Sequence, residues 1–122
     1  MDEQRQIMNR ALELSETISQ AVAHMEKQLE ELRYEEAMGL LEDAVTGVES
    51  IRSSLMPLMD QFGENRFHAL TRDLMEEIGK YLDLYKAKEH EKMKEQLTGG
   101  VAPAFRAWKE ELETMTGPLF EN

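Results

Sequence analysis

The sequence predicts an all-α fold, an antiparallel four-helix bundle made of two similar helical hairpins. Apolar residues recur at steps of three and four along most of the chain, which is the spacing of one helical face. Only 7 glycines and 3 prolines occur in 122 residues, so long stretches lack a helix breaker. We expect one domain over residues 1–122, with hairpin one at about 3–62, hairpin two at about 64–116 and a short tail at 117–122.

The first hairpin is predicted from two apolar stripes. Helix 1 is expected over about 3–31, where the stripe runs through Ile7, Ala11, Leu14, Ile18, Ala21 or Val22, Met25, Leu29 and Leu32. The chain is expected to turn at Arg33–Glu36, although no glycine marks the turn. In helix 2, Gly47 would permit close approach of a neighbour, and Pro57 should kink or end the helix. Gly63 then closes the hairpin.

The second hairpin is predicted from a stripe between Phe67 and Tyr85 and from a last segment that contains two glycines and a proline. Seven apolar residues of that segment keep to one helical face: Met93, Leu97, Val101, Phe105, Trp108, Leu112 and Met115. A true loop would usually lose this register. The last helix is therefore expected to be kinked or broken near Gly99–Pro103, and the unbroken phase favours a kinked helix over a loop.

A shift of 56 residues lays the first hairpin on the second. The shift places Ala11 on Phe67, Leu14 on Leu70, Ile18 on Leu74, Val22 on Ile78, Met25 on Tyr81, Leu29 on Tyr85, Ala37 on Met93, Leu41 on Leu97 and Val45 on Val101. Any two amphipathic helices can be aligned in phase, but this match also keeps phase across the turn between helices. We infer two similar hairpins, each needing the other to cover its apolar stripe.

Charge and cysteine content exclude several classes of function. The chain has 25 acidic and 14 basic residues and a net charge of −11, which repels nucleic acid and an anionic membrane surface. No cysteine is present, so disulfides, zinc–thiolate sites and thiol nucleophiles are excluded. The polar start at Met1–Arg5 lacks an apolar signal region, and no stretch approaches membrane-spanning length. A cytoplasmic protein without a nucleic-acid or membrane partner is expected.

The motifs of the enzymes that this fold suggests are missing. Di-iron bundles use a Glu-x-x-His motif, and the residues three before His24, His68 and His90 are not glutamates. No serine lies in a Gly-x-Ser-x-Gly turn, and Gly99–Gly100 lacks the Lys-Ser/Thr of a phosphate loop. We expect no catalytic, cofactor-binding or metal-binding residue, no cofactor, and no enzymatic activity.

Two groups of residues are candidates for contact with another molecule. The residues of the first group lie beside or off the apolar stripes. They would form either a surface for a protein partner or a homodimer, or a loosely packed edge of the core. The group consists of Met8, Leu12, Met38, Leu40, Met56 and Met75. The second is an aromatic group near the expected kink, which would line a small pocket or else fill the wider end of the bundle: Tyr81, Tyr85, Phe105 and Trp108.

Two segments resemble patterns found in small uncharacterised helical proteins of Bacillus-type bacteria. One is Arg33–Ala37 leading to Leu40–Asp43 and Val48, and the other is Tyr85–Glu89 through Leu97, followed by Val101–Trp108. In the last helix of that pattern, a leucine precedes a proline and then a tryptophan. The resemblance implies a helical fold and no known activity.

The sequence leaves the biological role unknown and favours a small cytosolic protein–protein interaction module, such as an adaptor, regulator or assembly partner. One alternative is a secretion- or flagellum-type chaperone that holds an amphipathic helix in an apolar groove. A second alternative is a small-ligand binder or enzyme that uses a pocket near Tyr81 and Trp108.

Overall fold

A computed structural model describes residues 2–117, and nearly all of them are helical. The helices are α1 (Asp2–Glu30), α2 (Tyr34–Leu55, continued by a 3₁₀ stretch at Met56–Gln61), α3 (Phe67–Lys86) and α4, which consists of His90–Gln96, a π-helical turn at Leu97–Val101 and Ala102–Thr116. No strand occurs between residues 2 and 117. The predicted all-α fold is confirmed. None of these helices is long and apolar enough to span a membrane.

The turn between α1 and α2 lies earlier than predicted. Leu32 adopts a left-handed backbone with φ 62°, and the Arg33 N–H donates to the Gln28 carbonyl at 2.8 Å. This is a Schellman motif, which ends a helix through its own backbone hydrogen bonds. Leu32 therefore leaves the apolar stripe and is 69% exposed. Helix α2 already begins at Tyr34, so most of the predicted turn is helical.

The turn between α3 and α4 repeats this geometry 56 residues later. Lys88 has φ 57°, and the Glu89 N–H donates to the Leu84 carbonyl at 3.0 Å. The first residues of α2 and α4 are Tyr34 and His90, which are also separated by 56. The two hairpins thus share the same turn in the same register, as the sequence shift implied.

The predicted irregularity in the last helix is a π-helical turn, and the helix continues through Gly99–Pro103 without a loop. Three successive steps of four, from Met93 to Phe105, advance by about 40° per step beyond a full α-helical turn. The wider π-turn absorbs this drift and acts as a one-residue insertion. After the π-turn, three buried residues of α4 correspond to buried residues of α2 that lie 57 rather than 56 positions earlier. The pairs are Val48 and Phe105, Ile51 and Trp108, and Leu55 and Leu112.

The core lies between the two hairpins. Helix α1 packs against α2, α3 packs against α4, and α1 also contacts the second segment of α4. Gly47 lets α1 approach α2 closely, because a Cβ there would lie 2.8 Å from Ile18 Cδ1. The α-helical part of α2 ends just before Pro57, as predicted. The largest fully buried side chains are Trp108, Tyr81 and Phe67, all from hairpin two.

Candidate partner-binding groove

The two hairpins meet along two seams, α1 against α4 and α2 against α3. The α1/α4 seam is bridged by ion pairs, with Lys109 Nζ 2.6 Å from Glu16 and Lys94 Nζ 3.9 Å from Glu30. The hydrogen bond to Glu16 raises the pKa of Lys109, whose side chain is only 16% exposed. Across the α2/α3 seam, by contrast, no hydrogen bond or ion pair is found within residues 2–117.

An apolar cavity of about 390 Å³ opens in the α2/α3 seam. It is lined by Met38, Leu41, Glu42, Val45 and Thr46 of α2 and by Ile78 and Leu82 of α3. Leu41 and Ile78 are buried and form the floor, whereas Val45 and Leu82 are half-buried. The seam therefore presents partly uncovered apolar walls rather than a closed contact.

A second cavity, of about 460 Å³, lies one helical turn further toward the inter-helix turns. It is lined by Tyr34, Glu35, Tyr85, Lys86, Lys88 and His90. The rings of Tyr34 and His90 stack with centroids 3.8 Å apart and planes inclined by 14°. We refer to these two neighbouring cavities together as the α2/α3 groove; their lining residues on α2 run from residue 34 to residue 46, or about 18 Å at 1.5 Å per residue.

The α2 edge of this groove is acidic. Glu35, Glu42 and Glu49 follow one another at intervals of seven, which places them on the same helical face. Glu35 and Glu42 are exposed, and Glu49 accepts hydrogen bonds from Arg52 at 2.9 and 3.0 Å. The equivalent positions of α4 carry Glu91, Thr98 and Arg106, so α4 has no such acidic edge.

The candidate contact residues are not brought together as one patch. Met8 is 0% exposed, and the prediction that it contacts a partner is wrong, because the buried face of α1 follows Met8, Ala11 and Ser15 rather than Ile7. Met38 is 9% exposed and lines the α2/α3 groove. Outside the groove lining, Leu12, Leu40 and Met75 are half-buried against the core, and Met56 is 47% exposed.

The candidate aromatic pocket is filled by its own rings. Phe105 and Trp108 have centroids 5.7 Å apart, and both are buried with Tyr81 in the core. Of the two alternatives for this group, the pocket is wrong for these three residues, and the other, that the rings fill the bundle, agrees with their burial. Tyr85 alone of the four lines the α2/α3 groove.

The Tyr81 hydroxyl is buried without a hydrogen-bond partner among the described residues. Burial, with a smaller contribution from Tyr85, raises the pKa of Tyr81 to about 12. Its phenol is therefore neutral at pH 7, and no partner residue is positioned to exchange its proton. Tyr81 has the environment of a core residue.

A polar contact ties α3 to the π-turn region of α4. Gln96 Nε2 donates to the Glu77 carbonyl at 2.9 Å and to Glu77 Oε1 at 3.2 Å. Lys80, and then Gln96, hold the pKa of the Glu77 carboxyl below its usual value. Gly100 lies beneath this contact, where a Cβ would be 2.6 Å from Gln96 Nε2. This arrangement explains the tight packing of the π-turn and brings together no group of metal ligands within the described chain.

The histidines are all exposed, and only His90 takes part in the groove. Sequence reasoning missed the stacked pair of Tyr34 and His90, since His90 lies among charged residues. The signal in the sequence that could have pointed to this pair is the 56-residue shift. It aligns these two residues at the start of equivalent helices, and the packing of the hairpins brings them face to face.

Comparison with known proteins gives a family without an assigned function. A family model described as "Domain of unknown function (DUF8042)" matches residues 6–111, from the first helix to the last. No match was found among curated proteins or among solved structures. The matched segment contains all three connections between the helices, the π-turn and the whole α2/α3 groove. The chain therefore belongs to the DUF8042 family of domains of unknown function.

Proposed function

We propose that this chain is a small cytoplasmic protein–protein interaction module, an adaptor, regulator or assembly partner, that binds through the α2/α3 groove. The observation that carries the proposal is the difference between the two seams. Two ion pairs bridge α1 and α4, whereas the equivalent seam between α2 and α3 is open and apolar. A partly uncovered apolar groove with a polar edge is typical of a contact surface.

The charge of the chain supports a protein partner over a nucleic acid or an anionic membrane. The net charge is −11, and the α2 edge of the groove is itself acidic. Phosphate groups would be repelled from the Glu42 end of the groove, where no lysine or arginine lines the cavity. The interaction needs no catalytic step, so the module acts by binding alone.

A secretion- or flagellum-type chaperone is the second candidate function. The groove supports it because about 18 Å accommodates about three turns of a client helix. The two functions differ in the bound protein, since a chaperone would hold a single secreted client. The alternative of a ligand pocket near Tyr81 and Trp108 loses its support, because both residues are fully buried.

Site-specific photo-crosslinking in the native host tests this proposal. A photoreactive residue at Thr46 reports on the groove, and one at Thr98 of α4 is the control. Both threonines are exposed and donate their hydroxyl to the carbonyl four residues earlier, at 3.0 Å. We expect a discrete cross-linked protein from Thr46 and not from Thr98.

The captured protein is then purified and its affinity measured directly. Thr46→Arg should weaken binding by about tenfold or more, because a bulky cation would occupy the groove, whereas Thr98→Arg should leave the affinity within about twofold. The proposal is overturned if both positions give the same cross-linked products. Equal effects of the two arginine substitutions would overturn it as well.

A further inference from the structure

We infer that the α2/α3 groove binds one amphipathic helix of another protein, with lysine or arginine along one edge at intervals of seven residues. The inference rests on the proposed function and specifies the chemistry of its partner. It draws on three properties of the groove, namely the backbone groups in its walls, the spacing of its apolar residues and the charge of its α2 edge.

The walls of the groove favour a helical partner. Along the apolar cavity, at residues 38–46 of α2 and 78–82 of α3, both walls lie inside helices, so their backbone N–H and C=O groups are paired within α2 and α3. An extended segment would find no backbone partners there and would bury unpaired polar groups, whereas a helix satisfies its own. A helix is therefore the backbone conformation that can enter this seam at the lowest cost.

The apolar residues of the groove are spaced for helix packing. Met38, Leu41 and Val45 follow steps of three and four along α2, and Ile78 and Leu82 are four apart on α3. Side chains spaced in this way form the holes into which the apolar residues of a third helix insert. The length of about 18 Å corresponds to about 12 residues of that helix, so its apolar positions should repeat at i, i+3 or i+4, and i+7.

The charge of the groove specifies the edge of the partner helix. Within the described chain no ion pair engages Glu35 or Glu42, although they line the two cavities. The middle of the α3 edge, at Ile78 and Leu82, is uncharged. Cations seven residues apart on the partner would face these carboxylates, as charges do at the edges of a coiled coil. Lys86 and Lys88 lie at the Glu35 end, so the cation facing Glu42 should contribute more.

A second copy of this chain fits the groove poorly. Two copies that each carry a charge of −11 would repel one another. The lysine-rich start of α4 is interleaved with glutamates, and Lys92 and Lys94 are engaged with Glu89 and Glu30. The charge complement of the acidic edge must therefore come from a different, basic helix.

Two synthetic peptides test the inference on the full chain. Both are helices of about 18 residues with leucines at the apolar positions and the same number of lysines. One carries the lysines along the edge at intervals of seven, and the other carries them on the outer face. Fluorescence anisotropy at about 0.15 M salt should show the edge-lysine peptide binding at least about tenfold more tightly, with the preference decreasing as salt rises.

Matched variants locate the effect on the protein. Glu35→Gln with Glu42→Gln should remove most of the preference for the edge-lysine peptide. The control, Glu91→Gln with Glu110→Gln, changes the net charge equally at exposed residues of α4 and should retain that preference. Equal affinities for the two peptides, or equal effects of the two double variants, would overturn the inference.

Two further outcomes separate this inference from the proposed function. Cross-linking from Thr46 to a protein that contains no basic amphipathic helix would overturn the inference and leave the interaction module standing. A dimer in sedimentation equilibrium that Thr46→Arg dissociates would overturn the inference by showing a second copy in the groove.

Discussion

The hydrogen bond from Trp108 to Thr71 should be a measurable part of the stability of hairpin two. Trp108 Nε1 donates to Thr71 Oγ1 at 2.8 Å, and the Thr71 hydroxyl donates to the Phe67 carbonyl at 2.7 Å. All three residues are buried. Thr71→Val keeps the shape of the side chain and removes the oxygen, so the indole N–H loses its acceptor inside the core.

A buried donor without a partner costs about 1–3 kcal/mol. At about 2.1 cal/mol/K of unfolding entropy per residue, a chain of 122 residues loses about 4 °C in Tm per kcal/mol. Thr71→Val should therefore lower the Tm by about 4–12 °C. Thr116→Val is the matched control, because the buried Thr116 hydroxyl donates within its own helix, to the Leu112 carbonyl at 2.9 Å and the Glu113 carbonyl at 3.4 Å, and accepts no hydrogen bond from the described residues. The control should stay within about 0.5 kcal/mol of the wild type.

Urea unfolding followed by far-UV circular dichroism measures both variants, and it remains usable when the single tryptophan, Trp108, is replaced. In a Trp108→Phe background, Thr71→Val should cost much less than in the wild type, since no indole N–H remains to be satisfied. The reasoning is refuted if Thr71→Val and Thr116→Val shift the urea midpoint equally with the same m value. It is also refuted if Thr71→Val costs as much with Phe as with Trp at position 108.

Three further predictions address the turns, the π-turn and the core. Leu32→Gly and Lys88→Gly should each stabilise the chain by about 1 kcal/mol in thermal unfolding, because both positions have a positive φ that glycine adopts without strain. In urea unfolding, Gly99→Ala should stabilise the chain by about 1 kcal/mol, because the added Cβ would meet no atom within 4 Å. Gly100→Ala should be less stable than Gly99→Ala by about 1–3 kcal/mol, because its Cβ displaces Gln96 from Glu77. Tyr81→Phe should stabilise the chain by about 1 kcal/mol, because it removes a buried hydroxyl without a hydrogen-bond partner among the described residues. The wild type should lose stability as pH rises from about 10, the unfolded pKa of Tyr81, to about 12, its folded pKa. In urea midpoints measured against pH, Tyr81→Phe should lack this contribution to the loss. The turn prediction is contradicted if Lys88→Gly destabilises the chain. The π-turn prediction is contradicted if the two alanine variants have equal urea midpoints, and the core prediction if Tyr81→Phe leaves the pH slope unchanged.

Helical periodicity was sufficient to predict the four helices and most of the core. The seven apolar residues of the last segment, from Met93 to Met115, are all buried, so a stripe that keeps its phase through Gly99–Pro103 did identify one continuous helix. The 56-residue shift extends further than apolar matching, because it relates the two left-handed residues, Leu32 and Lys88. Periodicity succeeds here because each helix buries one face.

The details that the sequence did not predict depend on tertiary packing. Leu32 ends α1 without a glycine because the backbone hydrogen bonds of the turn offset its left-handed conformation. Met8 and Ile7 are adjacent in the sequence, and only the packing angle of α1 decides that Met8 is buried. The α2/α3 groove could not be predicted from the sequence for the same reason. Both seams look alike in apolar spacing, and the ion pairs that bridge α1 and α4 become visible only when the helices are placed.

Methyl NMR mapping of the full chain with the edge-lysine peptide tests the central claim most directly. Bound peptide should shift the methyl resonances of Met38, Val45 and Leu82 in the α2/α3 groove in a saturable manner. The methyl groups of Val22 and Val101, the equivalents of Ile78 and Val45 on the α1/α4 side, should remain nearly unchanged. Shifts concentrated at Val22 and Val101, or no saturable shift at the groove, would contradict the assignment of the α2/α3 groove as the contact surface.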